Sequence, residues 1–123
     1  MGKSDIQAQI NRLKEEVRRL ESLKKAFENM NLKILEAISA LTTAKESAQK
    51  AYQLLGENYQ SKTADEVVAD LEGEYTNISD VIKTLQSVLA ASNAKIKSIG
   101  GIVKKRNSEI KDLRDQLDKT TEP

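Results

Sequence analysis

Residues 6–20 read IQAQINRLKEEVRRL, and this stretch decides the fold class. Its apolar residues follow one another at steps of four and three: Ile6, Ile10, Leu13, Val17 and Leu20. A helix with 3.6 residues per turn brings such positions onto one face, whereas a strand would need alternation by two. The stretch therefore predicts an amphipathic α-helix.

The same spacing continues through both halves of the chain. In the first half the further positions are Lys24, Phe27, Asn31, Ile34, Ile38, Leu41, Lys45, Ala48, Tyr52 and Leu55. In the second half they are Ala64, Val68, Leu71, Tyr75, Ile78, Ile82, Leu85, Leu89, Ser92, Ile96, Ile99, Val103, Arg106, Ile110, Leu113 and Leu117. We call these positions the seam. Two long seams joined by a polar stretch predict an all-α fold, a long antiparallel two-helix hairpin of the coiled-coil type, as a single domain over residues 1–123.

The predicted boundaries are a helix over 5–55, a turn over 56–62, a helix over 63–118 and a short disordered C-terminal tail. Ser4 and Thr63 are each followed three residues later by Gln or Glu, which is the pattern of a capping box at a helix start. Gly56 is expected to end the first helix in the left-handed conformation that glycine adopts readily. The turn would thus begin just after Leu54.

The adjacent glycines Gly100 and Gly101 weaken the second helix, because together they cost about 2 kcal/mol relative to alanine. The seam nevertheless keeps its phase from Ile99 to Val103. We predict a kink or a close helix crossing at this point rather than a break. A hinge that separates a third helix is the lesser alternative.

Composition excludes several classes of site. The chain has no cysteine and no histidine, so disulfides, thiolate or imidazole metal ligands and histidine acid–base catalysis are ruled out. No apolar run approaches the roughly 20 residues that cross a bilayer. Exposed helical carboxylates lack the pocket that would shift their pKa for catalysis. We predict no enzymatic activity, no cofactor, no metal and no membrane insertion.

A second apolar line runs beside each seam. On the first helix it contains Leu23, Met30, Ala37, Ala44 and Ala51. On the second helix it contains Val67, Val81, Val88 and Ile102, interrupted by Glu74 and Lys95. Two helices alone cover only one narrow stripe each, and faces of this width suit a bundle of three or four. The lines therefore predict a partner interface; the alternative is that they are tolerated surface apolars.

Nucleic-acid binding is the least favoured of the binding functions. The most basic segment runs from Lys95 to Lys111, but it contains no aromatic residue on which a base could stack. Residues 56–92 are acidic, and the formal net charge of the whole chain is only +1. We predict no nucleic-acid partner; binding to DNA that weakens steeply with salt would indicate otherwise.

The turn region resembles that of a known family. Residues 52–66 read YQLLGENYQSKTADE, in which Leu54 and Gly56 stand where the WXG (ESAT-like) family of small type VII secretion proteins has Trp-x-Gly. Together with the chain length and the absence of cysteine, this segment looks closest to the YwqH-like branch of that family.

The resemblance implies a function as well as a helical hairpin. Proteins of this branch accompany LXG-domain toxins, so the implied function is a targeting factor or chaperone that binds the toxin's helical N-terminal domain and promotes its secretion. The implied partners are that toxin and a second small helical targeting protein, with a homodimer allowed when the toxin is absent. The chain would be cytoplasmic before export and secreted with its partner.

One family feature is missing. Members with an export signal carry an aromatic-x-x-x-acidic motif after the second helix, and residues 110–123 contain no aromatic residue. The resemblance then implies that a partner supplies the signal. The alternative function is that of a self-associating structural coiled-coil adaptor.

Overall fold

The computed structural model describes residues 2–120 and consists of two long helices, α1 (Lys3–Asn58) and α2 (Lys62–Lys119). They pack against each other as an antiparallel hairpin. Glu16 of α1 contacts Arg106 near the end of α2, whereas Tyr52 near the end of α1 contacts Tyr75 near the start of α2. The predicted all-α hairpin is confirmed.

The seam predicted from the sequence is the packed face of both helices. Every seam position, including the polar ones such as Lys24, Asn31 and Arg106, is buried or half-buried. The spacing of apolar residues therefore identified the contact face correctly along the whole length of both helices.

The helix ends differ from the prediction. Ser4 was expected to cap α1, but α1 already begins at Lys3, and the carbonyl of Gly2 accepts bonds from the amides of Asp5 and Ile6, both at 3.1 Å. Thr63 was expected to cap α2, but the cap is Ser61, whose Oγ accepts a bond from the Ala64 amide at 3.1 Å. Ser61, two residues before Thr63, caps the helix in its place, because a Ser or Thr hydroxyl just before the first turn can accept a hydrogen bond from a free backbone amide.

The expected turn at Gly56 is also wrong. α1 continues through Gly56 to Asn58, and no glycine in the described part of the chain has a positive φ. Asn58 is the last helical residue, and its side-chain amide donates to the carbonyl of Leu54 at 2.7 Å. The connection is consequently reduced to residues 59–61.

At the other end, α2 runs without interruption through Gly100 and Gly101 to Lys119. The prediction that the glycine pair does not break the helix is confirmed, and no hinge separates a third helix. A Cβ added at either glycine would have no neighbour within 4 Å, so the alternative of a close helix crossing is wrong, and the kink stays a prediction. Of the predicted disordered tail, Lys119 is helical, and residues 121–123 lie outside the described residues.

The hairpin divides into two compact units. Unit 1 comprises residues 1–30 and 92–123, and unit 2 comprises residues 31–91. Unit 1 contains the main apolar cluster, formed by Ile6, Ile10, Leu13, Val17 and Ile110, with Val103, Leu113 and Leu117 packed against it.

Unit 2 is held by a looser seam. Its buried apolar residues are Ile34 and Ala64. Near the connection, the rings of Tyr52 and Tyr75 meet edge to face with centroids 6.1 Å apart, and the Lys45 ammonium lies 5.0 Å from the centre of the Tyr75 ring. Such a cation–π contact lets a seam lysine remain at a half-buried position.

Candidate interaction surface

The predicted interface residues form two rows of exposed side chains beside the seam. We call Leu23, Met30, Ala37, Ala44 and Ala51 the α1 row, and Val67, Glu74, Val81, Val88, Lys95 and Ile102 the α2 row. The larger apolar side chains of both rows are between 38% and 48% exposed. Ala44 and Ala51 are exposed as well, whereas Ala37 is half-buried. The hairpin thus leaves both rows accessible, which is the condition for a docking surface.

In unit 1 the two rows flank the same side of the hairpin. Arg106 donates from Nε to Glu16 at 3.0 Å and from Nη1 to Glu109 at 2.9 Å. Glu16 lies seven residues before Leu23, and Glu109 lies seven residues after Ile102, so each continues its row. A single guanidinium reaching both carboxylates places the two rows side by side.

The Arg106 ion pairs also change the electrostatics of this side. The hydrogen bond to Glu16, with the nearby charge of Glu109, raises the pKa of Arg106 above its ordinary value. The guanidinium is planar and presents several donors in a fixed fork, which suits it to bind two carboxylates at once. Both carboxylates are therefore paired with Arg106 within the hairpin through one oxygen each.

In contrast, the two charges that interrupt the α2 row have no such partners. Among residues 2–120, the Glu74 carboxylate and the Lys95 ammonium make no ion pair or hydrogen bond. Both residues are exposed. They are the only charged members of the α2 row as defined above, and they have opposite signs.

Further exposed apolar residues lie outside the predicted rows. Leu32 and Leu35 are 61% and 50% exposed, and Tyr59 of the connection is 61% exposed. The seven-residue repeat does not include the two leucines, because neither has an apolar residue seven positions before or after it. A count of apolar residues around the whole helix over 30–35 would have found them.

The turn-motif residues do not form a site. Leu54 is 63% exposed on the last turns of α1, and its carbonyl accepts the bond from Asn58. Gly56 is helical, and a Cβ added to it would lie 4.0 Å from Cγ2 of Val68, an ordinary contact. Nothing in the local geometry requires glycine at this position.

Within residues 2–120, no three or more acidic side chains gather where they could hold a metal ion. Neither described helix is long and apolar enough at once to span a membrane.

Comparisons of this chain with protein-family models, with curated proteins and with solved structures find no match. What the structure itself shows is an antiparallel two-helix hairpin with exposed apolar residues on its helices.

Proposed function

We propose that this chain is a non-enzymatic targeting factor or chaperone that binds the helical N-terminal domain of an LXG toxin and promotes its type VII secretion. The observation that carries the proposal is the pair of exposed apolar rows beside the seam that joins the two helices. A helical hairpin packs against further helices through apolar side chains of this size that repeat on neighbouring heptads.

The resemblance of residues 52–66 to the YwqH-like branch supports the toxin as the partner. Because Gly56 is helical, the support comes from the sequence pattern and from the hairpin fold, not from a turn built on that glycine. The proposal keeps the expected second small helical protein as a further member of the complex, and keeps the chain cytoplasmic until export.

Co-expression with the helical N-terminal domain of an LXG toxin tests the proposal. We expect the two to copurify one-to-one, and we expect Met30→Glu and Val88→Glu each to abolish copurification while the circular dichroism of the hairpin stays helical. A charge placed in a desolvated apolar contact has no compensating partner.

Matched controls are available one residue away on each helix. Asn29→Glu and Ser87→Glu introduce the same charge at exposed positions outside the rows. Both should leave copurification unchanged. Binding that survives both row variants, or that is lost equally in the controls, would remove the rows as the docking surface.

A further inference from the structure

A row of charged residues follows the outer side of α2 within unit 1. Lys97, Lys104 and Lys111 are separated by seven residues, so successive lysines lie about 10.5 Å apart along the helix axis, at 1.5 Å per residue. The next member of the same repeat is Asp118. All four are exposed, and no side chain among them makes an ion pair or a hydrogen bond within residues 2–120. We call these four residues the charged row; it reads basic, basic, basic, acidic.

The surface beside the charged row is low, because its exposed neighbours on the outer side of α2 are small. Gly101 lies between Lys97 and Lys104, and a Cβ added to it would meet nothing within 4 Å. Glycine weakens the interior of a helix relative to alanine, but it lets another backbone come close. The hairpin makes no such approach here. The other small neighbours are Ala94, Ser98 and Ser108.

We propose that the outer side of α2 in unit 1 docks a helix of a different protein, which presents acidic residues on three successive heptads and a basic residue on the fourth. A helix lying alongside α2 has the same period as the charged row, so each lysine meets one carboxylate. The partner's backbone passes over Gly101, between the lysine side chains. The charged row has no member in the two apolar rows, so this inference does not rest on the proposed function.

The charges at the end of α2 favour a helix over other anionic partners. Asp112, Asp115 and Asp118 follow Lys111 on the exposed outer side. A uniformly anionic partner, such as a lipid bilayer or a nucleic acid, would bring negative charge against these three carboxylates. A helix can present a basic residue at that level instead. Specific pairing of this kind depends on repulsion of the wrong partner as well as attraction of the right one.

The partner is a different protein because this chain lacks the complementary pattern. Its acidic residues never succeed one another at two consecutive steps of seven. Glu21 and Glu28 are followed by Leu35, and Asp65 and Glu72 are followed by Ser79. A second copy therefore offers no face that would neutralise all three lysines.

Fluorescence anisotropy of a labelled helical peptide, titrated with the whole chain, tests the proposal. The peptide spans four heptads, about 28 residues, with glutamate at one position of three heptads, lysine at that position of the fourth, and alanine and glutamine elsewhere. It is made in both chain directions, because the charged row does not fix the direction of its partner. We expect one direction to bind, and we expect the charge-reversed peptide, with lysine on three heptads and glutamate on the fourth, not to bind.

Charge exchange tests whether the charged row is the binding face. The triple variant Lys97→Glu, Lys104→Glu and Lys111→Glu should weaken binding roughly tenfold or more, because three attractive pairs become repulsive. Adding Asp118→Lys to that variant should transfer binding to the charge-reversed peptide.

Matched controls separate the charged row from the net charge of the chain. Arg12→Glu, Lys14→Glu and Lys25→Glu together make the same change in net charge at exposed positions of α1, and they should leave binding nearly unchanged. Circular dichroism of every variant checks that the hairpin remains helical.

The close approach is tested at the glycine. Gly101→Leu fills the low surface between the lysines, and we expect it to weaken peptide binding roughly tenfold, since the partner's backbone is pushed away from the charges. Gly73→Leu makes the same replacement at an exposed helical glycine of unit 2 and should leave binding unchanged.

Four results would each overturn the proposal. The first is equal binding of the peptide and its charge-reversed form, and the second is a triple variant that binds as well as its control. The third is full binding by Gly101→Leu. The fourth is tighter binding, through the charged row, to vesicles of phosphatidylcholine with roughly 30% phosphatidylserine or to duplex DNA than to the peptide. None of these results bears on copurification with the toxin domain.

Discussion

Units 1 and 2 are built on the same seam pattern but are packed to different degrees. In unit 1, Ile6 and Ile10 are 0% and 1% exposed, within a cluster of branched apolar residues from both helices. In unit 2, the most buried apolar residue is Ala64, at 8%. The contrast is clearest near the connection, where the seam of unit 2 contains Lys45, Ala48 and the Tyr52–Tyr75 pair, whereas the unit 1 cluster consists of isoleucine, leucine and valine.

The spacing of apolar residues therefore determines which face is buried, but the same spacing gives different degrees of burial in the two units. Unit 2 also carries most of the exposed large apolar residues: Leu32, Leu35, Leu54, Tyr59, Val67, Val81 and Val88. A loosely packed seam beside exposed apolar rows is the region that gains most from a further helix.

The largest effect should come from the unit 1 core. Ile10→Ala removes a fully buried side chain, and we expect it to lower the free energy of unfolding by about 2–5 kcal/mol. Ile102→Ala makes the same change at a position 41% exposed in the same unit, where we expect less than about 1 kcal/mol for the dilute chain. Urea unfolding followed by circular dichroism compares the two. Equal losses in the free energy of unfolding would contradict the expectation that burial in the unit 1 cluster contributes more stability than a partly exposed position.

A smaller effect tests whether the two units unfold together. Gly101 and Gly73 are exposed and helical, one in each unit, and a Cβ at either meets nothing within 4 Å. Replacing each by alanine should stabilise its helix by about 0.5–1 kcal/mol. If unit 2 opens on its own, Gly73→Ala slows amide hydrogen exchange mainly within residues 31–91. If amide hydrogen exchange instead slows equally in both units, the hairpin opens as one body. The packing difference would then produce no difference in stability between the two units.

Unit 1 contains a buried hydroxyl group whose removal should raise the stability of the hairpin. Ser92 is 3% exposed, and its Oγ has no hydrogen-bond partner among the described residues. Because a buried hydroxyl loses its bonds to water, we expect Ser92→Ala to stabilise the hairpin by about 1 kcal/mol. Ser87→Ala is the control, since the Ser87 hydroxyl is exposed and bonds the Lys83 carbonyl at 3.1 Å. Thermal unfolding measures both, and a loss of stability in Ser92→Ala would contradict the expectation.

The smallest effect concerns the exposed face of unit 1. A hydrogen bond from Arg18 holds the pKa of Glu15 below its ordinary value of 4.5. A carboxyl with a lowered pKa contributes its stability above the ordinary value and loses it as the pH falls through the lowered one. Arg18→Gln should raise the pKa of Glu15 in an NMR titration of the side-chain carboxyl. Arg12→Gln, which removes a neighbouring charge without that hydrogen bond, should leave the titration of Glu15 nearly unchanged.

The sequence was sufficient for the helices and their contact face, because a seven-residue repeat is a direct consequence of helical geometry. It was not sufficient for the helix ends. Gly56 is compatible with both a cap and a helix interior, and the neighbouring Asn58 and Ser61 offered caps that lengthen both helices and shorten the connection. Whether Gly100 approaches another helix depends on the packing of its neighbours, which no local pattern encodes.

The candidate surface was recognised from the sequence only as far as its repeat extended. The rows follow the heptad and are exposed as expected, with Ala37 half-buried. Leu32 and Leu35 were missed because they do not repeat. The cation–π contact of Lys45 with Tyr75 joins residues 30 positions apart in the sequence, so it required the hairpin register to be known first.

The short connection of residues 59–61 has a consequence for how the chain could be rearranged. The start of α1 and the end of α2 lie side by side in unit 1, where Lys3 and Asp118 line one cleft. A few glycine and serine residues would join these helix ends, and the chain could then be opened at Tyr59 without interrupting either helix. A circular permutant of this kind would keep every seam contact while reversing the order in which the two helices leave the ribosome.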